Sequence, residues 1–87
     1  STVSIQENNN INVSISPNPV TASKLRIEAN NAILGVLVKD NGGRLLRQIS
    51  GGETNSMQID LNGLKSGLYL VEINTMKGLI VRKIMIQ

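Results

Sequence analysis

Asp60-Leu61-Asn62-Gly63-Leu64-Lys65-Ser66-Gly67-Leu68-Tyr69-Leu70-Val71-Glu72-Ile73 is the stretch whose reading decides the fold. It opens on the end of an alternating run. Met57, Ile59 and Leu61 fall on one side and Gln58 and Asp60 on the other, the period of two expected of a half-buried strand. Residues 62–67 break the alternation with two glycines, an asparagine and a serine, a compact loop carrying one apolar plug, Leu64. Alternation then resumes with Tyr69, Val71 and Ile73 on a common face.

The same period runs outward in both directions. Upstream, Val13 and Ile15 alternate with Asn12, Ser14 and Ser16, with Ile11 on the apolar side. Pro17-Asn18-Pro19 stops that strand, because proline donates no ladder hydrogen bond and holds the residue before it extended. Leu25, Ile27 and Ala29 alternate with Lys24, Arg26 and Glu28. Residues 33–38, Ile-Leu-Gly-Val-Leu-Val, are apolar on both faces, as expected of a central strand covered on two sides. Asp40-Asn41-Gly42-Gly43 is a turn signal leading into a partner strand over residues 44–50, and Gly51-Gly52 signals another turn. Downstream, Met76-Lys77-Gly78 turns the chain into a last strand over residues 79–87. Its facing is ambiguous: Ile80, Ile84 and Ile86 compete with Leu79, Val81 and Met85.

Seven short strands, frequent Gly and Asn turns and no helical period predict an all-β, seven-stranded antiparallel sandwich. A Tyr entering a late strand behind a glycine-containing loop, as Tyr69 does, resembles the tyrosine corner of immunoglobulin-like folds, in which the hydroxyl bonds backbone a few residues upstream. A Tyr that only fills the core is the alternative.

Eighty-seven residues suffice for one domain. The chain has no Trp, Phe, Cys or His, and Tyr69 is its only aromatic residue. The core must come from Ile, Leu, Val and Met. Disulfides and thiolate chemistry are excluded, and the commonest metal ligands and the usual neutral-pH base are missing. Lys65-Ser66 are sequence neighbours, which point apart on an extended chain, and the six carboxylates are scattered. Asp40-Asn41-Gly42-Gly43 lacks the spacing and closing Glu of a calcium loop. Phosphate-cradling glycine motifs are absent, and Asn12-Val13-Ser14 is a glycosylation triplet within a strand. No catalytic residue, cofactor site or metal site is expected; the chain reads as a non-enzyme.

The net charge of +3 lies in the second half: residues 1–43 carry three basic and three acidic residues, residues 44–87 six and three. Such a face suits an anionic partner or simply a solvated surface. Nucleic acid is disfavoured for want of stacking aromatics. No apolar run approaches the ~20 residues of a membrane-spanning helix. Residues 1–10, ending Glu7-Asn8-Asn9-Asn10, read as a polar linker from an upstream cargo, and residues 11–87 as the domain. With Ser1-Thr2 at its start and no signal peptide, the sequence reads as the end of something longer.

Four landmarks in order give residues 11–87 a family resemblance. They are a strand entering Pro17-Asn18-Pro19; D-x-x-G-R at Asp40, Gly43 and Arg44; D-L-x-x-L-x-x-G-x-Y at Asp60, Leu64, Gly67 and Tyr69; and a basic-apolar last strand with Arg82 and Lys83. Together they resemble the type A C-terminal sorting domain of the bacterial type IX secretion system (Por secretion system family). The resemblance implies a delivery role. Cargo would pass through the periplasm, be recognised by the outer-membrane translocon, and reach the cell surface or the medium. There a sortase-like peptidase would cut before the domain and join the cargo to anionic lipopolysaccharide. The recognised surface is expected to include residues 83–87 and the turn at residues 40–44, with strand addition as the physical route. A fibronectin-type-III or other immunoglobulin-like spacer or binding module of a secreted enzyme is the rival. Oligomeric state is not legible.

Overall fold

A computed structural model describes residues 12–16 and 23–87, of which all regular structure is antiparallel strand. The strands are β1 (Val13–Ser16), β2 (Lys24–Asp40), β3 (Leu45–Asp60), β4 (Gly67–Thr75) and β5 (Gly78–Ile86). They form one sheet in the order β1-β2-β4-β5, with β3 also paired to β2. No helix is long and apolar enough to cross a membrane.

Five strands replace the expected seven because two pairs of segments run together. The segments at residues 24–29 and 33–38 are both parts of β2, and those at 44–50 and 57–61 meet in β3. Gly51-Gly52 is therefore not a hairpin turn. Pairing of β2 with β3 jumps from Glu28↔Ser56 to Ile33↔Thr54 and then to Gly35↔Ser50. Extra residues sit first on β2 and then on β3, two opposed bulges that bend both strands together. Side-chain amides occupy the bend: Asn30 Oδ1 accepts from the Asn12 N–H at 2.8 Å, and Asn55 Nδ2 donates to the Ala29 carbonyl at 3.3 Å. Gly51 is required here by close approach. A Cβ at that position would stand 2.1 Å from the Ile33 carbonyl oxygen.

The bend divides the ladders. The first part of β2 pairs with β1 and the end of β3, whereas its second part pairs with the start of β3 and with β4, which carries β5. Leu25, Ile27 and Ile59 from one part and Val36, Val38, Val71, Ile73, Ile80 and Ile84 from the other join in a single core. The sheet has curled over to bury its own inner face. Burying each such side chain stabilises by roughly 1.5–3 kcal/mol relative to exposure.

Two expectations about facing are resolved. In β5 the even-numbered set Ile80, Ile84 and Ile86 is buried, while Leu79, Val81 and Met85 are exposed. Residues 33–38 do form a central strand, between β3 and β4, but they are not covered on two sides: Leu34 is 47% exposed and Leu37 half-buried. Gly35 and Leu37 instead floor an open groove of about 390 Å³ with Gln48, Glu72, Asn74 and Leu79.

Candidate recognition surface

Turn chemistry builds one end of the molecule. The Asp40 carboxylate accepts the Gly42 N–H at 2.9 Å and the Arg44 N–H at 2.8 Å through Oδ1, while its carbonyl accepts the Gly43 N–H. Gly43 takes φ +92°, a left-handed conformation that L side chains rarely adopt. The Arg44 N–H, then the Gly42 N–H and the Arg44 charge, hold the Asp40 carboxyl below the usual carboxylate range against a smaller desolvation effect. Arg44 Nε lies 3.5 Å from Asp40 Oδ2, with its side chain 79% exposed.

The loop between β3 and β4 repeats the device. Asp60 Oδ1 accepts the Asn62 N–H at 2.9 Å, the Leu64 N–H bonds the Leu61 carbonyl, and Leu61 is buried with Leu64 packed against the core. Tyr69 is buried, and its hydroxyl donates to the Lys65 carbonyl at 2.5 Å. That is the tyrosine corner, and it rules out a Tyr that only fills space. Gly67 opens β4 opposite Ile86.

Pairing brings these pieces together. Asp40 stands opposite Tyr69, which stands opposite Ile84; the neighbouring row is Lys39–Leu70–Lys83, and the next places Val38 beside Val71 and Arg82. Arg47 Nη2 donates to the Asn62 carbonyl at 2.8 Å, tying β3 to the second loop. The Asp40–Arg44 turn, the 60–69 loop and the end of β5 thus share one end of the sheet, with β5 about 10 Å from β2 at the usual strand spacing. Lys83 and Arg82 sit on opposite faces of β5, and both are exposed. Pro17, Asn18 and Pro19 lie outside the described residues, as does the linker expected at residues 1–10.

Every carboxylate whose side chain is described is engaged. Asp40 and Asp60 hold turns, Glu28 lies 2.7 Å from Arg26, and Glu72 lies 3.0 Å from Lys39. The cations are less spoken for: among the described residues Lys24, Arg47, Lys65, Lys77, Arg82 and Lys83 form no ion pair. The surface suits recognition of an anionic or backbone-presenting partner. Sequence reasoning missed Arg47, whose carbonyl partner lies 15 residues away with no local signal. It also missed Thr75, buried at the β4–β5 turn, whose hydroxyl donates to the Gly78 carbonyl and accepts the Lys77 N–H.

Residues 14–87 match the family described as secretion system C-terminal sorting domain. The chain belongs to that family. A search of curated proteins finds no match to it. The match covers every element from β1 onward and takes in all four landmarks. The domain is a C-terminal sorting signal for type IX secretion, which implies contact with that machinery and export to the cell surface or beyond. The family's landmark residues in the described part are turn builders: Asp40, Gly43, Asp60 and Tyr69 each fix backbone at one end of the sheet.

Proposed function

We propose that the folded domain, after passage through the periplasm, is read by the outer-membrane translocon at the end formed by the Asp40–Arg44 turn, the 60–69 loop and β5. A surface sortase-like peptidase then cuts upstream, in the polar stretch at residues 1–10, and joins the cargo to anionic lipopolysaccharide. The domain itself performs no catalysis and carries no cofactor. The observation that carries this reading is the family match together with three of its four landmarks meeting at one end. The two ladders on either side of the bend are the layers of a seven-segment immunoglobulin-like sandwich. In support, residues 13–16, 24–28 and 56–60 pair as one group and residues 33–40, 45–54, 67–75 and 78–86 as another, around one core.

The test fuses residues 1–87 behind a signal peptide and a fluorescent protein in a host with the secretion system. Surface and medium fluorescence is compared with a translocon-deletion strain. Export that vanishes in the deletion strain is expected. Reporter held in the periplasm of both strains, with the domain folded, would overturn the proposal.

A further inference from the structure

The β4–β5 hairpin fixes which backbone groups of β5 are spare. A two-residue turn, Met76-Lys77, closes on the pair Thr75↔Gly78, and in an antiparallel ladder hydrogen-bonded pairs alternate from the closing pair outward. Ile80, Arg82 and Ile84 therefore turn their N–H and C=O toward β4, whereas Leu79, Val81 and Lys83 turn theirs away from the sheet. Two contacts agree with that parity. The Met76 N–H bonds the Ala32 carbonyl on the β2 side of β4, and Arg82 Nη1 reaches the Val81 carbonyl at 3.3 Å. The same three residues project their side chains from the outer face, Leu79 55% and Val81 47% exposed.

The other margins of the sheet are blunted. β1 is four residues long, and β3 meets β2 through three register breaks. β5 keeps unbroken register with β4 over its whole length, so its free side is a regular template. Charge selects what it accepts. Arg82 and Lys83 form no ion pair, and two copies of β5 laid antiparallel would bring their cationic pairs together. A strand bearing carboxylates meets no such penalty.

We propose that the free edge of β5 at Leu79, Val81 and Lys83 takes up an extended, carboxylate-bearing segment of the secretion machinery as an added strand. This rests on the sorting role and specifies the partner's chemistry. The segment carries apolar side chains beside Leu79 and Val81, and one carboxylate on each face, meeting Lys83 on the outer face and Arg82 on the other.

The experiment uses the reporter fusion of residues 1–87 with Val81→Pro and Lys83→Glu, each purified chain checked by thermal melting. Proline at residue 81 removes an outward N–H and no rung of the β4–β5 ladder. V81P is expected to fold and to lose export by about tenfold or more, and K83E to fold and lose export severalfold. Wild-type export from both folded variants overturns the proposal and leaves the sorting role standing, whereas an unexported wild-type fusion removes the sorting role itself. If V81P does not melt cooperatively, K83E, altered only at an exposed side chain, decides alone. Sedimentation showing a wild-type dimer that V81P dissolves overturns the proposal in favour of a second copy.

Discussion

The β2–β3 ladder and the β4–β5 ladder are built from similar residues and do opposite things. The first breaks register three times, between Glu28 and Ile33, between Ile33 and Gly35, and between Val38 and Lys39. The second runs through nine consecutive pairs without a break. Bulges bend the sheet over its own inner face and leave β3 a poor template for further pairing, whereas the regular hairpin buries one face and keeps a straight outer margin. Irregularity shapes this domain; regularity leaves it something to offer.

Four substitutions sharpen the contrast. The largest effect is expected at the bend. Gly51→Ala drives a methyl into the Ile33 carbonyl, and the backbone must shift to admit it. A loss of about 3 kcal/mol is expected in urea denaturation, and a loss below ~0.5 kcal/mol would mean the bend tolerates a wider gap than described. Tyr69→Phe keeps the ring and removes the bond to Lys65, leaving a carbonyl to find water. A loss of roughly 1–1.5 kcal/mol is expected by the same method; an unchanged midpoint would show that the corner holds without its hydroxyl.

Asp40→Asn is expected to cost less and to show its origin in pH. The Asp40 carboxyl titrates below its unfolded value, so its stabilisation is complete above the ordinary carboxylate range and fades as pH falls through the lowered pKa. Melting of wild type and D40N should differ near neutrality and converge at about pH 2; a gap that persists in acid would assign the effect to something other than charge. The smallest effect belongs to the outer face of β5. Leu79→Ser, at an exposed position, should change stability by less than ~0.5 kcal/mol. A larger loss would mean that this face is covered.

How much could be read from sequence followed the range of the interactions. Leu25 and Ile27, Ile59 and Leu61, and Tyr69, Val71 and Ile73 alternate within single strands, and all are buried as that period requires. Asp40 and Tyr69 were legible because each reaches backbone only four residues along the chain. Gly51-Gly52 was misleading, since two glycines mark a turn and a tight crossing alike, and only the position of the Ile33 carbonyl separates the two. Both parities of β5 are apolar, so its facing became clear only through pairing with β4, which sets Ile84 beside Tyr69. The outer face of β2 looked like core because Leu34 and Leu37 are apolar, yet no layer of the described structure covers it.

Amide hydrogen exchange of the 87-residue chain, read residue by residue along β5, tests most directly whether one margin of the sheet is left open. Slow exchange is expected at Ile80, Arg82 and Ile84, which bond β4, with fast exchange at Leu79, Val81 and Lys83 between them. Uniformly slow exchange from residue 79 to residue 84 would contradict an open edge and show that something already occupies it.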